Sequence, residues 1–358
     1  LLNILWLNHR DPKHPKAGGA ERTIYEIAKR LIQQGNNVTI YCPKWKGAPD
    51  EDIVEGIRII RKGSSFTAHL LLPIFLLKNK FNVIIMDLAH GVPWISPVFL
   101  NSNNIAFFRH LHARSLPGQV NLVLAKLITY LEKIYPYIYR DNKIVTESNS
   151  SVNDLKKLGF NEKNIIRIPP GVDLALFLPG KKTQYVQLIY FGGLRKYKRP
   201  EYALKVYKEL YSEIPNLKLI ITGEGPLLST MRDEVKNKNH DIEFLGKVDY
   251  KELSEIIRES WINIHFSITE GWGYSILESS ASGTPTVALR VPGVVDTIQD
   301  NFNGFLVKDI DEFKVKILYI VRNEDLFIKN SRKFAENFTW DKTVEMWSIL
   351  LKDGSMKN

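Results

Sequence analysis

The stretch EGWGYSILE, Glu270 to Glu278, decides how the second half of this chain is read. Before it lies the apolar run INIHFS, Ile262 to Ser267, and after the glycines a helix is expected from Tyr274 to Ser282. The predicted order is strand, glycine loop, helix. Gly271 and Gly273 let the backbone approach a bound group closely, because neither carries a Cβ. The amides of Tyr274, Ser275 and Ile276 then open the helix without partners inside it. Together with the helix dipole they form a site for an anion. Glu278, four residues after Tyr274, is placed to accept hydrogen bonds from ribose hydroxyls. Glu270, ahead of the helix, can contact sugar hydroxyls on the other side of the phosphates. An isolated pair of glutamates at this spacing says little, since a carboxylate near a helix start also simply complements the dipole. The strand and the glycine loop give the pair its meaning.

Working outward, FGGLRKYKRP, Phe191 to Pro200, is a second glycine-rich strand end. Arg195, Lys196, Lys198 and Arg199 cluster there, ahead of a helix expected from Pro200 to Tyr211. Such a cluster can clamp a diphosphate. An ordinary solvated basic turn is the alternative, and the glycines at the strand exit favour the clamp. Further strands are expected at Leu217–Thr222, Ile242–Leu245, Thr286–Leu289 and Gly304–Val307, with a helix at Tyr250–Glu259. The first half alternates in the same way. Apolar runs stand at Leu2–Asn8, Asn37–Cys42, Ile57–Ile60, Val83–Met86, Ile105–Phe108 and Lys143–Thr146. A helix from Glu21 to Gln34 carries Ile24, Ile27, Ala28 and Leu31 on one face and ends at Gly35. Short apolar strands separated by helices indicate parallel sheets covered on both faces. Asp173 to Tyr185, with Pro179 and Gly180, has the composition of a linker. The expected fold is therefore α/β, with two Rossmann-like domains, 1–178 and 179–340, whose parallel sheets face a central cleft. Ligands of such sheets bind outside the carboxyl ends of the strands.

Composition narrows the function. At 358 residues the chain is long enough for two domains. Hydrophobic residues at 44% and charged residues at 25% exclude wholesale disorder. The single cysteine, Cys42, excludes a disulfide framework and a cysteine-built zinc site. No run approaches the roughly 20 apolar residues that span a bilayer. The best, Leu70 to Leu77, is short and contains Pro73, and reads as a membrane-touching loop or as core. The chain begins at Leu1 and runs straight into a strand, so no signal peptide is read and the cytoplasm is the expected compartment.

The net charge of +10 is uneven: Leu1 to Leu178 holds 23 Lys and Arg against 14 Asp and Glu. A basic half suits phosphates, nucleic acid or an acidic membrane surface. No zinc-finger spacing or RNA-binding aromatic signature appears, so nucleic acid is not an expected partner. From Leu116 to Arg140 an apolar segment carries Lys126, Lys133 and Arg140 at seven-residue intervals. It reads as an interfacial amphipathic helix or as a helix covering the sheet with its lysines in water. Asp50-Glu51-Asp52 has a D-x-D pattern; it reads as a solvated turn, and no metal site is expected.

Taken together, these motifs resemble the family 4 glycosyltransferases of the GT-B fold. The resemblance rests on GGLRKYK after a strand, Gly223-Glu224-Gly225-Pro226, Glu270 to Glu278 followed by SSASGTP to Pro285, Gly293, and Asn303-Gly304-Phe305. In the first half it rests on Gly18-Gly19-Ala20-Glu21-Arg22 and on Pro169-Pro170-Gly171-Val172-Asp173. Phe338-Thr339-Trp340-Asp341 is similar to the start of the family's last helix, here expected at 341–358, which returns to the first domain. The resemblance implies retaining transfer of a sugar from a nucleotide-sugar donor to a hydroxyl acceptor, with neither cofactor nor metal; the basic first half suits a lipid-linked or phosphorylated acceptor. It implies that Lys198 binds the donor diphosphate, Glu270 the transferred sugar and Glu278 the ribose. Gly18 and Gly19 match the loop that closes on the diphosphate. His110 matches the family's histidine near the sugar, with His112 second. One departure stands out: the family has an arginine where this chain has Gly193, and Arg195 is the nearest substitute. The alternatives are a sugar-nucleotide 2-epimerase and an inactive protein that only binds nucleotide sugars.

Overall fold

The computed structural model describes residues 1–88, 93–94, 103–116, 120–236 and 240–355. The chain forms two compact α/β units. The first contains Leu1–Ala113 and Leu122–Gly171 and takes up the chain again from Trp340; the second contains Val172–Thr339.

Unit 1 runs β1 (Asn3–Leu7), α1 (Gly19–Gln33), β2 (Asn37–Cys42), β3 (Glu51–Val54), β4 (Ile57–Arg61), α2 (Thr67–Lys78), β5 (Val83–Asp87), β6 (Asn103–Phe108), α3 (Leu122–Ile138), β7 (Lys143–Thr146), α4 (Asn149–Leu158) and β8 (Ile165–Arg167). Among the described residues its sheet has the order β3-β4-β2-β1-β5-β6-β7-β8, parallel except for β3 against β4. Ile4 to Leu7 of β1 and all five residues of β5 are buried, as strands covered on both faces require. Helix α1 buries Ile24, Ile27, Ala28 and Leu31, the spacing of one helical face.

The Asp50-Glu51-Asp52 turn is corrected: Glu51 and Asp52 open the edge strand β3. Its alternating charges and the exposed Ile53 give no apolar run to read, and charges suit an edge. The three carboxylates face Lys44, Arg58 and Lys13 respectively, at 2.5, 3.2 and 2.9 Å. Leu70 to Leu77 is neither a loop nor wholly core. It lies in helix α2, which buries Ala68 and Leu72 and exposes Leu70, Ile74 and Leu77. Of the Leu116–Arg140 segment, Leu122–Ile138 forms α3, and residues 117–119 lie outside the described residues.

Unit 2 runs β9 (Gln187–Phe191), α5 (Glu201–Leu210), β10 (Lys218–Thr222), α6 (Leu228–Val235), β11 (Ile242–Gly246), α7 (Tyr250–Glu259), β12 (Ile262–His265), α8 (Tyr274–Ala281), β13 (Thr286–Leu289), β14 (Gly304–Val307), α9 (Asp311–Arg322) and α10 (Glu324–Ala335). Its described strands form one parallel sheet, β11-β10-β9-β12-β13-β14. The chain then returns to unit 1 as α11 (Trp340–Ser355), where Trp347 packs 5.4 Å from both Trp6 and Phe107. Residues 356–358 of the helix expected at 341–358 lie outside the described residues.

Candidate functional site

The sheet of unit 2 grows outward from its middle. From β9 the chain builds β10 and β11 on one side, then crosses to β12 on the other. The loops after β9 and β12 therefore leave in opposite directions, and the crevice between them is where such sheets bind ligands. The GGLRKYK loop follows β9 and the Glu270 loop follows β12.

Two close backbone approaches set the first loop. Gly223, at φ +129°, lies so near the Gly192 carbonyl that a Cβ would stand 1.9 Å from its oxygen. At Gly225 a Cβ would stand 2.3 Å from the Leu194 oxygen. The Leu194 amide donates to the Glu224 carbonyl at 2.9 Å, and the buried Leu194 side chain pins the turn to the core. Lys198 closes a short 3-10 turn, Lys196–Lys198, and the Ile268 amide donates to the Tyr197 carbonyl at 2.9 Å, knitting the two loops together.

The second loop is set in the same manner. The Glu270 amide donates to the Pro292 carbonyl at 3.0 Å, and Gly293 packs so tightly that a Cβ would stand 2.2 Å from the Glu270 oxygen. Trp272 is buried edge-on to Phe338, with ring centres 5.2 Å apart. Gly273 is the N-cap of α8 at φ +102°, a left-handed conformation that glycine adopts without strain.

The two loops bring Lys198 and Glu270 together: Lys198 Nζ lies 2.5 Å from Glu270 Oε1. His265 Nε2 lies 3.1 Å from the same oxygen, and Ser267 Oγ is 3.3 Å from that nitrogen. Burial pushes the Glu270 carboxyl up, but the Lys198 and His265 charges and hydrogen bonds outweigh it and hold the group well below the usual range. Burial likewise pulls the Lys198 ammonium down, and the Glu270 charge more than restores it, so Lys198 stays protonated.

The opening of α8 differs from expectation in one donor. The amides of Ile276 and Leu277 both donate to the Gly273 carbonyl, at 3.0 and 3.2 Å, because the left-handed cap turns that oxygen inward. Ile276 is buried and its amide is occupied, which leaves Tyr274 and Ser275, both half-buried, as the outward residues of the helix start. Glu278 is buried one turn further in. Gly271 directly follows Glu270. At Gly193 an added Cβ would meet the Arg195 Cγ, Cδ and Nε at 3.9 Å, ordinary contact, so the exposed Arg195 stem lies beside that position.

The remaining expected site residues belong to unit 1. Gly18 is the N-cap of α1, and its amide donates to Glu21 Oε2 at 2.7 Å; Gly19 begins the helix. His110 is half-buried after β6, with its ring 5.1 Å from that of His112. His112 is buried against α3: Glu132 Oε1 accepts its backbone amide at 2.6 Å and lies 3.1 Å from its Nδ1.

Sequence reading missed several charged groups here. Arg109 is buried between Asp87 and Glu147, at 2.8 Å from each, and donates to the Ala20 carbonyl at 3.2 Å. It thereby ties the start of α1 to the carboxyl ends of β5, β6 and β7. His9, just after β1, packs 5.1 Å from Trp94 and 5.4 Å from His69. Burial, then the charges of His69, Arg10 and His112, pull its pKa down to about 3, so the ring is neutral near pH 7. His265 was also missed, although polar His265, Ser267 and Thr269 alternate along an otherwise apolar strand end, a period-2 signal.

Two Rossmann-like units, each with charged loops at the carboxyl ends of its parallel strands, are the components of a GT-B architecture. The family model described as "Glycosyltransferase Family 4" matches residues 17–176, and that described as "Glycosyl transferases group 1" matches residues 177–339. An uncharacterized glycosyltransferase of Methanocaldococcus jannaschii, MJ1069, is 30% identical over 94% of this chain and 95% of its own length. An N-acetyl-alpha-D-glucosaminyl L-malate synthase of Bacillus anthracis is 24% identical over 60% of this chain and 61% of its own. Among solved structures, Anabaena Alr3699/HepE in complex with UDP-glucose superposes with a TM-score of 0.74 at 15% identity, covering 99% of this chain and all of that one. The chain belongs to the glycosyltransferase group 1 and family 4 proteins.

Proposed function

We propose that this glycosyltransferase moves a sugar from a nucleoside-diphosphate sugar to a hydroxyl acceptor with retention of anomeric configuration and without a metal. The observation that carries this reading is the Lys198–Glu270 pair at the switch point of unit 2, in front of α8. Departure of the nucleoside diphosphate leaves positive character on the sugar and added negative charge on the phosphate. Lys198, Arg195 and the start of α8 offset that charge as it develops. The acceptor hydroxyl attacks the anomeric carbon from the face the phosphate leaves. Its proton passes to the departing phosphate oxygen, so no protein nucleophile is needed. Glu278 holds the ribose, and Gly18, Gly19 and His110 keep the roles that the family resemblance gives them.

A thermal-shift screen against UDP-, GDP- and ADP-sugars, with EDTA present, tests the donor class. A bound donor at 100 times its Kd adds about 2.7 kcal/mol. A melting temperature unmoved by all three contradicts the reading.

Arg195 takes over from the arginine missing at Gly193. Arg195→Ala is expected to lower transfer by about tenfold or more, and Gly193→Arg in the same chain to restore it, since position 193 has room for a side chain. Equal activity of the single variant and the wild type would remove Arg195 from the site.

The acceptor is assigned to unit 1 and to a lipid-linked or phosphorylated molecule at an anionic membrane surface. No helix of the described residues is long and apolar enough to cross a membrane. Helices α2 and α3 nonetheless expose Leu70, Ile74, Leu77, Leu122, Val123 and Leu127, with Lys126 and Lys133 also exposed. Apolar side chains with interspersed cations suit an anionic headgroup layer. The protein is expected to sediment with phosphatidylserine vesicles at low salt and to release as salt rises. Leu77→Glu with Leu127→Glu should abolish the association. Absence of sedimentation at low salt contradicts it.

A further inference from the structure

We propose that His265 is a positioning residue, whose Nε2 keeps the Glu270 carboxylate in place when Lys198 turns from it to the donor diphosphate. The inference rests on the reading of Glu270 as the sugar contact and Lys198 as the diphosphate contact. Two donors converge on one oxygen: Lys198 Nζ and His265 Nε2 both reach Glu270 Oε1, at 2.5 and 3.1 Å. A diphosphate carries more negative charge than one carboxylate and competes for the ammonium. Once the lysine turns, a carboxylate with only about an eighth of its surface exposed has lost its nearest cation. Such a group then protonates or swings toward water unless another donor holds it.

His265 is built to be that donor. It ends β12, its side chain is buried, and its ring is fixed by the strand rather than by a loop. A carboxylate only accepts, so Nε2 carries the hydrogen, and the Ser267 hydroxyl at 3.3 Å is the weaker partner of the same nitrogen. The other ring nitrogen, Nδ1, is buried and has no hydrogen-bond partner among the described residues. Among the described residues Nδ1 therefore offers the ring no competing anchor. The histidine therefore acts on the sugar end of the donor through Glu270, and not on the diphosphate.

Three variants test this. Glutamine at 265 places an N–H near the position of Nε2; asparagine places its amide near Nδ1; phenylalanine has no donor. Each is titrated calorimetrically with UDP and UDP-glucose, or with the GDP/GDP-mannose or ADP/ADP-glucose pair if the wild type prefers it, and assayed for donor turnover. His265→Phe and His265→Asn should lose about tenfold both in kcat and in the preference for the sugar nucleotide over the bare diphosphate, the worth of one hydrogen bond to a charged group. His265→Gln should keep both, and diphosphate affinity should stay unchanged throughout. Equal losses for diphosphate and sugar nucleotide, equal behaviour of glutamine and asparagine, or an active His265→Phe would overturn the proposal. Should the phenylalanine variant fail to fold, the glutamine and asparagine pair decides. A wild type that binds none of the three diphosphates refutes the nucleotide-sugar reading itself, a separate outcome from intact binding with unaffected variants.

Discussion

Lys198→Ala is expected to lower kcat/KM for sugar transfer by about 10²–10³-fold, the usual loss when one preorganised charge partner of a developing anion is removed. Arg195 is exposed, whereas Lys198 lies in the crevice with its ammonium kept protonated by Glu270. The substitution also leaves Glu270 buried with His265, at the end of β12, as its remaining charge-assisted partner among the described residues, so the carboxyl pKa should rise. Most of the loss should fall on kcat, because the charge on the departing phosphate grows on the way to the transition state. Steady-state kinetics with the preferred donor checks this, alongside Glu270→Ala. Unchanged transfer in both variants would reject the site.

The largest effect on stability is expected far from that lysine. Asp11→Ala should destabilise unit 1 by about 3–5 kcal/mol, because it removes the two-bond counter-charge of a buried guanidinium and leaves it only Asp52, at 3.5 Å. Asp11 and Arg61 are both buried, and Arg61 donates twice, to Oδ2 at 2.8 Å and to Oδ1 at 2.9 Å. The same carboxylate accepts from Trp45 Nε1 and from the Lys13 amide, each at 2.9 Å. Asp11 thus anchors the segment that leads from β1 to Gly18 and Gly19, joining it to β4. Urea unfolding of wild type, Asp11→Ala and the Asp11→Ala/Arg61→Met double variant measures the effect. The double variant should recover part of the loss, since an apolar pair avoids the cost of a lone buried charge. A single variant as stable as wild type would show that the pair contributes nothing.

What could be read from the chain beforehand, and what could not, follows from the range of the interactions. The central strands β1, β2, β5 and β9 carry continuous apolar runs, and α1 and α7 carry their own period, so local pattern sufficed. The glycine loops were legible because a strand end, a glycine and a helix start lie within ten residues of each other. Edge strand β3 and the short β8 were missed because charged residues interrupt them and half their surface faces water. Helix α4 was missed for a related reason: it opens with Asn149, Ser150 and Ser151, residues whose side chains favour caps and turns. Its N-cap Ser148 indeed accepts the Ser151 amide at 3.1 Å. The occupied amides of Gly18 and Ile276 depend on how each cap is turned, which residue identity alone does not specify. Buried charge partners were beyond reach altogether. Asp11 and Arg61 are 50 positions apart, and Arg109 and Glu147 are 38 apart, so only the folded sheet brings them together.

The most direct measurement is a crystal structure with UDP, or whichever diphosphate the thermal screen selects. The account predicts its phosphates within hydrogen-bond reach of Lys198 Nζ and of the backbone at Tyr274 and Ser275, with the ribose against Glu278. It further predicts that Lys198 will have let go of Glu270 while His265 still holds it. A nucleotide lodged elsewhere on the protein, or phosphates that leave the Lys198–Glu270 pair untouched, would contradict it.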